Sequence, residues 1–241
     1  MGRRLVAAGT ADDPEVAYRH ALAARRLAAR VGVVRETCGV AAYHAGRWAE
    51  ALAELRAARR ITGRASYLPL MADAERALGR LDRALEIVSG PEARRADRGT
   101  QIELRIVESG IRRDQGLPGA AVAVLQPLAE AAGGKAARSA RLSYAYADAL
   151  LDAGRTEEAR DWFARAAAAD PEGETDAADR LEEIDQVIID DLLDESSDPE
   201  SGSDLPSGDD LPSADDLRRG PDLPGGMAIT GTAGDDAVPA D

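Results

Sequence analysis

The sequence predicts an all-α protein: an α-solenoid of about four and a half antiparallel helical hairpins, a C-terminal capping helix and a disordered acidic tail. Three observations carry this. A short pattern of Gly, Ala and large apolar residues recurs along the chain. Apolar residues between the recurrences follow the helical period of about 3.6 residues. The composition then changes abruptly near residue 196.

The pattern is plainest in GRTEEARDWFARAAAADP, residues 154–171, where Gly154, Ala159, Phe163, Ala166 and Pro171 mark it. It returns at Gly46, Gly79 and Gly116, each followed five residues later by Ala51, Ala84 or Ala121. Ala17, in EVAYRHALAARRL, marks a further copy. The steps from Ala17 to Ala51, Ala84, Ala121 and Ala159 are 34, 33, 37 and 38 residues. SGPEARRADRGTQ and EAAGGKAARS are expected to supply the longer steps as extra loop.

Each copy reads as two helices. A Gly just past the last periodic residue supplies the left-handed conformation that ends a helix cheaply. A closing Pro cannot continue the second helix. Ala159 and Ala166 lack bulk where paired helices come closest, and Phe163 fills the gap between them. A single hairpin cannot bury its outer apolar face, so neighbours must stack.

Taken in order, residues 1–31 form a partial unit with a full second helix and a stub of the first. Residues 32–65 form a unit carrying Gly39, Gly46, Trp48, Ala51, Leu55 and Ala58. Residues 65–98 form the next, with Met71, Ala72, Gly79, Ala84 and Val88, but with the charged Glu75 on its first helix. Residues 99–135 are the most degenerate: Leu104, Val107 and Ile111 read as one place early for Gly116, and Leu128 replaces the second Ala. Residues 140–173 repeat the pattern most faithfully. Residues 174–195 give one more helix, with Leu181, Ile184, Ile188 and Leu192 on one face, expected to cap the last hairpin. In residues 196–241 Asp-Leu-Pro segments at Asp204, Asp210 and Asp222 stand among Ser and Gly. So few apolar residues cannot offset chain entropy, which predicts disorder.

These residues resemble the tetratricopeptide repeat, with its unit of about 34 residues, mid-unit Gly, following Ala, large apolar residue, second Ala and closing Pro. The resemblance covers about residues 10–172 and is similar to single-domain repeat proteins of high-GC bacteria. It implies that the first helices line a concave groove in which family members hold extended peptides or partner helices. Carried over unit by unit, the implied groove positions are Glu36, Val40, Tyr43 and His44, then Asp73 and Arg76. Arg105 and Arg113 follow, and then Arg141, Tyr144 and Asp148. The Lys/Asn pattern of the family's chaperone-tail binders is missing. Trp48 stands at a family position for an aromatic packed between hairpins, and Trp162 is expected against the capping helix.

Charge is partitioned sharply. Residues 1–170 carry 27 basic and 22 acidic side chains, residues 171–241 carry 3 and 22. Almost all the basic residues are Arg, and Ala is abundant, which reads as the codon usage of a high-GC bacterium. Arg25, Arg26 and Arg30, then Arg56, Arg59 and Arg60, end successive second helices, and Arg94, Arg95 and Arg98 follow the third. Cations suit helix C-termini, but stacking would align these ends into a basic edge. With so modest a charge and no interleaved aromatics, an acidic protein fits that edge better than nucleic acid. The acidic tail could mask it, or serve only solubility.

Catalysis finds little to stand on. Two histidines, His20 and His44, and one cysteine, Cys38, lie apart, with no zinc-ligand spacing. GGKAAR at residue 133 lacks both the upstream Gly and the Ser/Thr of a phosphate loop. The expectation is a non-enzyme with no cofactor, no metal and no small-molecule substrate, its partner being another protein. One cysteine excludes an intramolecular disulfide framework, and neither a signal-peptide core nor a membrane span stands out. A cytoplasmic location is expected.

Overall fold

The computed structural model describes residues 2–131 and 139–195. Among these, every regular element is helical. The helices are α1 Gly2–Gly9, α2 Pro14–Leu27, α3 Gly32–His44, α4 Trp48–Thr62, α5 Leu68–Ala77, α6 Leu81–Ser89, α7 Pro91–Arg95, α8 Arg98–Asp114, α9 Pro118–Ala131, α10 Ala140–Asp152, α11 Thr156–Ala168 and α12 Ala177–Glu195, with a 3₁₀ turn at Ala65–Tyr67. Most helices pack chiefly on their neighbours in sequence, while α8 packs also on α5, α6 and α10. No helix among the described residues is long and apolar enough to cross a membrane. The expected loop at 132–138 and the acidic tail at 196–241 lie outside the described residues.

Four of the pairs, α3/α4, α5/α6, α8/α9 and α10/α11, are joined by the same turn. Gly46, Gly79, Gly116 and Gly154 have φ of 69°, 71°, 71° and 74°, a region that costs a β-carbon-bearing residue about 1–2 kcal/mol. In each turn the next residue's N–H bonds back five residues, at 2.8–2.9 Å: Arg47 to Ala42, Arg80 to Glu75, Leu117 to Arg112 and Arg155 to Leu150. This is the six-to-one bond of a Schellman ending.

Small residues let each pair close. The Ala five places after each turn glycine is fully buried at Ala51, Ala84, Ala121 and Ala159. Seven places before it, Gly39, Ala72, Ser109 and Ala147 are buried too. Ser109 Oγ donates to the Ala121 carbonyl at 3.2 Å, which puts the two small positions face to face. Nine places after the turn stand the large core residues Leu55, Val88, Leu125 and Phe163, all buried.

At Gly39 a β-carbon would meet Leu55 Cγ at 2.7 Å and the Leu55 backbone nitrogen at 3.1 Å. At Gly110 it would meet only the Arg76 guanidinium, at 3.1 Å, a side-chain end that need shift by only a few tenths of an ångström. Gly39→Ala is therefore expected to destabilise by about 1–3 kcal/mol through overpacking. Gly110→Ala is expected to gain up to about 1 kcal/mol of helix propensity. Urea unfolding midpoints of the two variants test the contrast.

Two expectations are corrected. The first helix of the fourth unit is not shifted. Leu104, Ser109 and Ile111 occupy the buried places filled in α10 by Leu142, Ala147 and Ala149. What differs is that Glu108 and Arg112 stand where α10 has Tyr146 and Leu150, with Val107 buried instead. The stretch SGPEARRADRGTQ is not plain loop: Pro91 starts α7, whose Ala93 is buried against α8. Asp97 then caps α8 by accepting from Thr100 N at 3.0 Å. Trp162 makes its ring contacts with Tyr146, edge-on at 5.0 Å, and with Arg165. The ring contact from α12 goes to Phe163, through Arg180.

The remaining elements pack as follows. α1 is a short helix packed on α2 and α3. Ala177 and Ile184 of α12 are buried on the last pair, with Leu181 beside them; the side chains of Ile188 and Leu192 lie outside the described ones. Trp48 packs edge-on against Tyr43 at 5.2 Å. Cys38 is fully buried, and burial pushes its thiol up to about 11. At about pH 8.5, where a free cysteine is half ionised, alkylation of Cys38 is expected to be slow in the folded protein. Added urea should accelerate it in step with unfolding; fast labelling without denaturant would contradict this burial.

Candidate functional site

The first helices of the four pairs, α3, α5, α8 and α10, present a common set of positions. Counting ten, six and three places before each turn glycine gives Glu36, Val40 and Tyr43 on α3, and Pro69, Asp73 and Arg76 on α5. On α8 the set is Ile106, Gly110 and Arg113, and on α10 Tyr144, Asp148 and Leu151. Such spacing places residues on one helical face.

Three clefts lie along these positions. The first, about 780 Å³, includes Glu36, Val40 and His44. The second, about 440 Å³, includes Tyr43, Pro69, Asp73, Arg76, Ile106 and Arg141. The third, about 330 Å³, includes Arg76, Gly110, Arg113, Arg141, Tyr144 and Asp148. The second and third share Arg76, Ile106 and Arg141, so they adjoin. Ten of the eleven groove positions carried over from the resemblance are among these residues.

Arg105 is the exception. It is exposed, pairs with Glu108 at 2.6 Å, and lines a different cleft with Val88, Ala93 and Leu104. The physical reason is the register of α8. With no shift, the residue of that turn that lines the clefts is Ile106, and Arg105 points one step around the helix.

Polar side chains along the face form a ladder between successive units. The Tyr43 hydroxyl donates to Asp73. Arg76 donates to Asp73 at 2.5 Å and to Asp114 at 2.7 Å. Arg113 donates to Asp148 at 2.9 Å and to Asp152 at 2.5 Å. In each case a donor three places before one turn reaches a carboxylate of the next unit. Burial works against the charge of Arg76 and Arg113, but their carboxylate bonds outweigh it, so both guanidiniums stay raised. Burial first, and the bond to Asp73 second, push the Tyr43 phenol up. Tyr144 is raised by burial and then by its bond to Asp176.

Chemically, the face is therefore charge-balanced and preorganised, with its carboxylates already committed to guanidiniums and phenols. Arg141 is the loosest member. Its side chain is 61% exposed and meets Glu103 at 3.0 Å, a surface pair of little net strength. His44 is exposed at the end of α3.

The arginine edge is more neutral than its sequence implies. Glu54 is buried and accepts from Arg25 and, at 2.7 Å, from Arg35. Glu75 is fully buried and accepts from Arg56 and Arg80. Arg59 pairs with Glu92. These carboxylates join neighbouring helices, and the sequence reading gave them no such role. The available signal was a carboxylate inside a buried stripe, as Glu54 lies among Ala51, Leu55 and Ala58.

No family model matches the sequence, and no curated protein matches it. The repeat reading thus rests on this chain's own spacing and on the four matching turns.

Proposed function

We propose that the chain is a non-enzymatic scaffold of the tetratricopeptide type, an α-solenoid that binds a peptide or partner helix of another protein along the face of α3, α5, α8 and α10. The observation that carries the reading is the row of clefts at equivalent positions of successive first helices. A fixed, internally paired face suits recognition, because little ordering is left to oppose binding. Half-buried tyrosines and arginines, which such contacts favour, lie along it.

The test begins with the full chain as bait, the captured protein being identified by mass spectrometry and then purified. Val40→Glu combined with Arg141→Glu is expected to weaken its binding at least about tenfold, with unchanged helicity. Glu158→Gln, on α11, serves as the control. Unchanged binding by the double variant overturns the groove assignment. The alternative reading, a regulatory or nucleic-acid-associated module with its arginine edge masked by acidic residues 196–241, is weakened by the body's own carboxylates, which already engage Arg25, Arg56 and Arg59.

A further inference from the structure

The packing of the helices breaks off at two faces. Each of α3, α5, α8 and α10 packs on the second helix of its own pair and on helices of the preceding unit. α12 packs on α11 as α10 does on α9, but no second helix follows it among the described residues. α1 packs on α2 and α3, with no preceding unit among the described residues. Helices stacked in this way leave an unpartnered face at each end of the series.

Both open faces carry an exposed valine beside charge. On α1, Val6 is 65% exposed, and the exposed Arg3 stands one turn before it on the same side. On α12, Val187 is 57% exposed, and the exposed Asp179 and Glu183 precede it at steps of four. The signs are opposite. α1 holds Arg3 and Arg4 and no acid, and neither arginine has a carboxylate partner among the described residues. α12 holds eight acidic residues and one base, Arg180. That base is shared among Glu183 at 3.0 Å, Asp148 at 3.7 Å and the Phe163 ring. The acids that follow α1 are placed otherwise: Asp13 caps α2, accepting from Glu15 N at 2.8 Å, and Asp12 lines the first groove cleft.

We infer that the outer face of α12 docks the outer face of α1 from a second copy of this chain, Val187 against Val6 and the α12 carboxylates on Arg3 and Arg4. Two like ends would set like charges against each other, which disfavours them as partners. One chain carries both complementary faces, so a second copy supplies what each end lacks. Because the faces differ, the contact is heterologous and extends into open chains or rings.

Sedimentation velocity of the full chain tests this. At about 10 mM salt, where charges act over about 30 Å, the mean mass is expected to rise with concentration. At about 1 M, where they act over about 3 Å, it should fall to that of one chain. Arg3→Glu with Arg4→Glu, or Asp179→Arg with Glu183→Arg, should each weaken the low-salt association at least about tenfold. Val6→Ser should weaken it as well, and Arg141→Glu in the groove should not. Mixing the two reversed variants should restore association, because an acidic first end then meets a basic last end, which neither variant offers alone. Association that survives reversal of α12 would make residues 196–241 the acidic partner and overturn the inference. A single-chain mass under every condition, indifference to Val6→Ser, loss with Arg141→Glu, or no recovery on mixing would each overturn it too.

Discussion

Phe163→Ala is expected to destabilise the protein by about 3–5 kcal/mol, the range for emptying a large aromatic site in a packed core. Phe163 is the only phenylalanine of the chain and is fully buried. Its ring meets Tyr144 of α10 edge-on at 5.4 Å and lies under the Arg180 guanidinium of α12 at 5.6 Å. Around it are Leu142, Tyr146 and Leu150 of α10, and Ala177 and Ile184 of α12. Three helices thus share one side chain, and the alanines flanking it have no bulk with which to refill the space. Phe163→Leu should cost much less, about 1–2 kcal/mol, because most of the volume stays. Urea unfolding followed by circular dichroism measures both. A loss below about 1 kcal/mol for the alanine variant would mean that α12 collapses onto α11 without the ring.

Phe163 and its neighbours were legible in the sequence because backbone geometry and close approach admit few residue types. A turn at φ near 70° calls for Gly, and helices in contact call for Ala at fixed places. Legibility failed where charge entered the buried stripe. Glu108 and Arg112 broke the apolar rhythm of α8, so the periodicity slid by one residue and carried Arg105 into the groove in place of Ile106. Burial follows the turn glycine rather than the apolar count, so counting backward from Gly116 restores the register. The edge arginines misled for a further reason: a one-dimensional reading cannot see that Glu54 and Glu75, from other helices, arrive beneath them.

Glu54 makes this consequence measurable. It is 4% exposed, and its two oxygens are taken by Arg25 of α2 and Arg35 of α3. Arg35 also donates to the Ala29 carbonyl at 2.7 Å, tying the α2–α3 connection to the same cluster. Replacing both arginines with methionine keeps most of their apolar stems but leaves a buried carboxylate with no cation. The double variant is expected to lose about 3–5 kcal/mol. Adding Glu54→Leu should recover most of that loss, because a well-packed apolar group in place of a whole buried ionic cluster is commonly neutral or stabilising. Such a result would assign the cluster to specificity: it fixes which helix meets α4, and at what height, more than it adds net stability. Urea midpoints of the double and triple variants decide the matter. If the triple variant is as unstable as the double, the loss comes from packing of the arginine stems, and Glu54 is not the origin of the penalty.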